Sequence, residues 1–134
     1  MCIFCKIVNK EIPSYSIYED EFVLAFLDIS QVTKGHTLVI PKKHYDNLLE
    51  CDNETLAHMS TIVKTIGNHL VNKLNAKGLN ILSNVNEVAG QSVNHFHIHL
   101  IPRYDENDAI QIKFHESKKQ DFDKLLNELK IEND

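Results

Sequence analysis

A chain of 134 residues with 43% hydrophobic content can bury about two thirds of its unfolded surface around one core, so a single domain over residues 1–134 is expected. Acidic residues outnumber basic ones, 19 to 14, and a net charge of −5 gives no reason to bind duplex nucleic acid or an anionic membrane. No apolar run approaches the ~18–20 residues that cross a bilayer, and no basic-then-apolar leader opens the chain, which points to the cytoplasm.

Ile3, Phe4 and Ile7 have the spacing of a short helical turn with one apolar side, and a turn follows near Ile12-Pro13-Ser14. Ser16 to Glu19 and Phe22 to Asp28 read as a hairpin joined by charged residues. Ile29 to Gly35 is a loop, and His36 to Ile40 a third strand stopped by Pro41. Leu48 and Leu49 suit a short turn. Asn53 is a fitting N-cap for one long helix, Glu54 to about Asn75, with Leu56, Met59, Ile62, Val63, Ile66, Leu70 and Leu74 as its buried stripe and Gly78 as its stop. His58 and His69 fall off that stripe and read as solvated. Leu79 to Asn84 is a fourth strand, and Val85 to Gly90 a polar loop.

The fifth strand candidate, His95-Phe96-His97-Ile98-His99-Leu100-Ile101, alternates histidines with apolar residues and stops at Pro102. Period two places Phe96, Ile98 and Leu100 in a core and the three histidines on the opposite, wet face, with His97 open to solvent. A charged stretch, Asp105 to Asp108, follows. Ser117-x-x-Gln120 is a capping-box start for a C-terminal helix over about 117–131, with Phe122, Leu125, Leu126 and Leu129 on one face. The expected class is α+β: a five-stranded antiparallel sheet with one long helix and a C-terminal helix.

Alternate histidines on a strand can bind a catalytic metal, hold one imidazole as a nucleophile among oxyanion binders, or form a pH-sensitive surface. No Asp or Glu lies in residues 90–102 to complete a metal set, whereas Gly90-Gln91-Ser92 is a donor-rich loop of the kind that cradles phosphate. The nucleophile reading is favoured. Cys2-x-x-Cys5 alone could be a redox pair, an accident of composition, or half of a metal site; no strand precedes it, against the redox reading. Three cysteines, an odd number, make no disulfide framework. Cys51 reads as an inert thiol and His115 as a surface residue.

The run Gln91-Ser92-Val93-Asn94-His95-Phe96-His97-Ile98-His99-Leu100-Ile101 resembles the His-x-His-x-His signature of the histidine-triad (HIT) superfamily. Ile3 to Lys10, Glu11-Ile12-Pro13, Phe26 to Ser30 and Gly35 to His44 resemble its N-terminal half in order, so the likeness covers residues 2–104. It implies hydrolysis or nucleotidyl transfer at the α-phosphate of purine nucleotide conjugates through a nucleotidyl-histidine on His97. His99 and Gln91 would hold the phosphate oxygens, and Ser92 would pass a proton to the leaving group. Asn84 and Gly90 would contact the nucleotide. Asp28 would accept from the ribose hydroxyls, although by itself it reads as a cap of the following loop. Ile3, Phe4, Ile7, Phe26 and Ile29 would form the cleft for the base, although as residue types they suit a plain core. His36 aligns with a histidine near the site and could equally be a buried structural partner.

The resemblance also implies a homodimer and a structural zinc on Cys2, Cys5, His44 and His95, four N/S ligands with no open position. After the triad this chain reads Pro102-Arg103-Tyr104 where the phosphoramidase branch carries Gly-Gly-Arg, so the leaving group, an amine or a nucleoside polyphosphate, stays open. Two other readings are a nucleotide-binding regulatory protein with little catalysis, and a metallohydrolase that uses the triad as ligands.

Overall fold

A computed structural model describes residues 2–133. Helix α1 (Ile3–Val8) is capped by Cys2, whose sulfur accepts from the Cys5 N–H at 3.1 Å. Strands β1 (Ser16–Glu19), β2 (Val23–Leu27), β3 (Thr37–Pro41), β4 (Gly78–Leu82) and β5 (Ile98–Arg103) form one antiparallel sheet in the order β1-β2-β3-β5-β4. Helix α2 (Asn53–Leu74) joins β3 to β4, and α3 (Phe122–Leu129) lies near the C-terminus. The α+β expectation holds.

Both faces of the sheet are covered. Val23, Ala25, Val39, Ile98 and Leu100 pack with Met59, Val63, Ile66 and Leu70 of α2. On the opposite face Leu24, Phe26, Leu38 and Ile40 pack with Phe4 and Ile7 of α1. Double coverage explains why β2 and β3 read as near-continuous apolar runs instead of alternating ones.

Several expected boundaries move. Asp52, not Asn53, caps α2, accepting from Thr55 N–H at 2.8 Å, and Asn75 ends it in the left-handed region (φ 52°), which frees Gly78 to begin β4. Strand β5 starts three residues later than the histidine alternation suggests and runs through Pro102. Beyond Leu100 it has left β3, so the missing proline N–H breaks no ladder bond. The C-terminal helix starts at Phe122 under an Asp121 cap, while Ser117 turns its hydroxyl to Lys118 C=O. His69 and His115 are exposed as expected. His58 is not free: its Nε2 lies 2.7 Å from Asp20 Oδ2, tying α2 to the β1–β2 turn. Among the described residues no helix is long and apolar enough to cross a membrane.

Candidate active site

The histidine run straddles the edge of β5, and the three rings do not share one wet face. Phe96, Ile98 and Leu100 enter the α2-side core as alternation requires. His95 is fully buried and His97 is 6% exposed, because α1 closes over them: the Phe4 ring stands edge-on to both, at 5.8 and 5.2 Å between centroids. Open exposure of His97 is therefore corrected. The ring sits instead in the wall of a cavity of about 350 Å³ between α1, β2, β3 and the loop before β5.

Hydrogen bonds assign each ring its tautomer. His97 Nδ1–H donates to His95 C=O at 2.7 Å. Its Nε2 has no partner among the described residues, where no buried side-chain nitrogen or oxygen lacks one, so this lone pair is open to the cavity. Burial holds the His97 pKa below its ordinary value against the pull of His95 C=O and Asp28, which keeps that lone pair unprotonated near neutral pH.

His99 has the reverse arrangement. Val32 N–H donates to His36 Nδ1 at 3.3 Å, so the His36 proton is on Nε2, 3.0 Å from His99 Nδ1. His99 accepts there and carries its own hydrogen on Nε2, as a neutral donor towards the cavity. Desolvation, with His97 and His36 alongside, lowers its pKa to about 4. Asp28 lies beside this pair, with Oδ2 3.7 Å from His36 Nε2 and Oδ1 accepting from Ser30 N–H at 2.8 Å, so the loop-capping role read from sequence is also present.

Of the expected nucleotide contacts, Ile3, Phe4, Ile7, Phe26, Asp28, Ile29, Ser92, His97 and His99 line the cavity. Asn84, Gly90 and Gln91 do not. The Gln91 amide is spent on its own loop and on the segment after β3: Nε2 donates to Val93 C=O at 3.0 Å and to Asp46 C=O at 2.6 Å, and Oε1 accepts from Asn86 N–H at 2.8 Å. Asn84 braces the same loop, donating to Gly90 C=O at 3.3 Å, and Gly90 takes the left-handed φ of 102° that the turn requires. Sequence reasoning missed Ile12, Pro13, Ser14, Leu27, Ser30, Leu38 and Val93 in the lining. Ile12-Pro13-Ser14 read only as a turn, and Leu38 could be placed only through its register opposite Phe26 and His99.

A second cluster lies behind the first. The donor atoms of Cys2, Cys5, His44 and His95 all fall within 4.8 Å of one another. Cys2 Sγ is 3.3 Å from His95 Nδ1, and Cys5 Sγ is 3.4 Å from His44 Nδ1 and 3.6 Å from His95 Nδ1. Zinc bond lengths of ~2.3 Å to sulfur and ~2.05 Å to nitrogen in a tetrahedron require S···N edges of about 3.6 Å. Tautomers agree as well: His95 Nε2–H donates to Pro41 C=O at 2.8 Å and His44 Nε2–H to Asp46 Oδ1 at 2.9 Å, which leaves both Nδ1 lone pairs facing the sulfurs. Cys5 is pushed up to about 11, by desolvation first and then by Cys2 beside it, so a divalent cation is what would let both sulfurs ionise. These four residues fit a zinc ion.

The HIT domain family model matches residues 9–106. This chain belongs to the HIT family. It is 52% identical over 131 residues to an uncharacterised HIT-like protein of Methanocaldococcus jannaschii, covering 97% of this chain and 99% of that one. It is 39% identical over 124 residues to the adenosine 5'-monophosphoramidase of Saccharomyces cerevisiae, covering 92% of this chain and 75% of that one. Among solved structures, a HIT family member from Bacillus subtilis superposes with a TM-score of 0.90 at 43% identity, over 99% of each chain. A zinc-bound histidine triad protein from Mycobacterium smegmatis superposes with a TM-score of 0.74 at 42% identity, over 79% of this chain and 77% of that one.

Proposed function

We propose that this HIT protein is a nucleotide hydrolase or nucleotidyl transferase that cleaves purine nucleotide conjugates, nucleoside phosphoramidates or dinucleoside polyphosphates, at the α-phosphate. One observation carries the reading: a neutral imidazole, His97, whose Nδ1–H is fixed on a backbone carbonyl while its Nε2 lone pair is open to an apolar cavity. In the first step Nε2 forms a bond to the α-phosphorus, the bond to the leaving group breaks, and that group keeps the electron pair and takes a proton by way of Ser92. Water then attacks phosphorus, the P–Nε2 bond breaks, and a nucleoside monophosphate leaves. His95 C=O steadies the imidazolium that forms on His97, and the His99 Nε2–H faces the non-bridging oxygens.

Phe4, Ile7 and Phe26 would sandwich the base, and Asp28 would accept from the ribose hydroxyls. Gly90, Gln91 and Asn84 act by holding the turn that presents Ser92, so of that loop Ser92 makes the direct contact. Zinc on Cys2, Cys5, His44 and His95 would close a tetrahedral site and supply structure, pinning the N-terminus to the residue before the nucleophile. A homodimer is supported by α3, where Phe122, Leu126 and Leu129 stand 76%, 61% and 70% exposed on a single copy. Three free cysteines suit a reducing cytoplasm.

The decisive test is to quench a reaction with adenosine phosphoramidate or diadenosine polyphosphate and look for a nucleotidylated protein. The adduct should map to His97 and vanish in His97→Ala. Saturable nucleotide binding with neither adduct nor turnover would make the protein a binding module.

A further inference from the structure

Ser92 lines two cavities. One is the nucleotide cavity; the other is an adjoining polar groove bounded by Glu87, Gly90, Gln91 and Asn94. If the proposed phosphoryl transfer takes place on His97, a leaving group that takes its proton by way of Ser92 departs into that groove. The only charged side chain among its described lining residues is Glu87. The nucleotide cavity contributes Asp28 and, among its described lining residues, no lysine or arginine. Among the described lining residues the path thus holds two carboxylates and no lysine or arginine.

We infer that the groove is a leaving-group subsite in which Glu87 selects conjugates whose leaving group is a cationic amine over those that release a polyphosphate. This rests on the hydrolase reading above. As the P–N bond breaks, nitrogen takes the electron pair and a proton and departs as an amine that becomes an ammonium in water. Positive charge therefore develops, or is already carried further along the amine, next to the Glu87 carboxylate. A departing polyphosphate gathers negative charge in the same place, with no Lys or Arg to offset it and a carboxylate to oppose it.

Glu87 is exposed, in the 3-10 turn Glu87–Ala89, and its side chain makes no hydrogen bond among the described residues. Substituting it removes charge with little structural consequence, and its effect is the modest one of an exposed charge: about two- to fivefold in relative rate, weakening as salt shortens the screening length.

The experiment compares kcat/KM for three adenosine 5'-conjugates: a phosphoramidate of a diamine with a free ammonium, the phosphoramidate of a neutral alkylamine of equal length, and diadenosine polyphosphate. Wild type should prefer the cationic over the neutral amine by about two- to fivefold at low salt, with the polyphosphate last. Glu87→Gln should bring the amine ratio towards one, and Glu87→Lys should invert it while raising polyphosphate cleavage. The same ratios read as Kd in a His97→Ala background test the subsite independently of turnover. Ratios unmoved by both substitutions, or a wild type that favours the polyphosphate, overturn the inference. Absence of a His97 adduct with every conjugate overturns the hydrolase reading and leaves the Kd ratios to decide on Glu87.

Discussion

His97 and His99 lie on neighbouring alternate positions, yet they are set up for opposite tasks by one hydrogen bond each. A carbonyl on His97 Nδ1 leaves a lone pair on the far nitrogen; a donor on His99 Nδ1 leaves a proton there. The donor is His36, itself fixed by a backbone N–H, so His36 is a positioning residue for His99. His36→Leu should lower kcat by about 10²-fold, the scale of general acid–base assistance, with KM little changed and the circular dichroism spectrum intact. Equal losses in both parameters would argue for misfolding instead. The pH profile follows from burial. Because His97 is held below the ordinary histidine value near 6.5 and His99 falls to about 4, the decline of kcat/KM in acid should come at lower pH than for a free imidazole, with the rate level from about pH 8 down towards that ordinary value.

At the scale of elements, two short turns do more than connect. Asp20 closes the β1–β2 turn by accepting from Phe22 and Val23 N–H, and it also takes the Tyr18 hydroxyl at 2.7 Å and His58 of α2 at 2.7 Å. Burial works against its charge, but these donors outweigh burial and bring the carboxyl to about 2. Asp20→Ala should cost about 2 kcal/mol and lower Tm by roughly 5 °C in thermal melts, with the His97 adduct still formed. The second turn presents Ser92. An alanine methyl at Gly90 would meet Asn84 Nδ2 at 3.2 Å, and φ stands at 102°. Gly90→Ala should destabilise by about 1–2 kcal/mol and raise KM, measured by melts and steady-state kinetics.

For the whole molecule, the two clusters share one residue. His95 offers its ring to the sulfurs and its carbonyl to His97, so a metal bound by the first cluster would hold the backbone unit that fixes the His97 ring. Cys2→Ala should lose metal in elemental analysis and lower Tm; His97→Ala should keep both. A triad that itself ligated catalytic metal would give the reverse for His97→Ala. Stability should also fall in acid. His97 and His99 protonate later in the folded than in the unfolded chain, so their contribution is complete above about 6.5 and is lost as pH drops towards about 4. Denaturant titrations at a series of pH values would read that slope. In the proposed homodimer α3 is the seam, because an eight-residue helix is too short to persist with its apolar side in water; removing residues 109–134 should then leave a monomer in sedimentation.

Local order was legible in the sequence. Alternation across 95–101 sent Phe96, Ile98 and Leu100 to the core and the stripe from Leu56 to Leu74 marked α2, because side-chain period is a property of neighbouring residues. The triad with its preceding loop marked the family, and that resemblance, not the residue pattern, pointed to nine of the cavity's residues. Boundaries slipped where two caps competed side by side, as at Asp52 and Asn53, or where a proline's missing N–H happened to face no partner. What only the tertiary structure decided was the state of each ring. His95 is set by Pro41, 54 residues away, and His99 by His36, 63 residues away, while α1 folds over His97 and turns an expected open face into a lined cavity. A tautomer is chosen by whatever donor or acceptor reaches the other nitrogen, and those partners exist only once distant strands have been brought side by side.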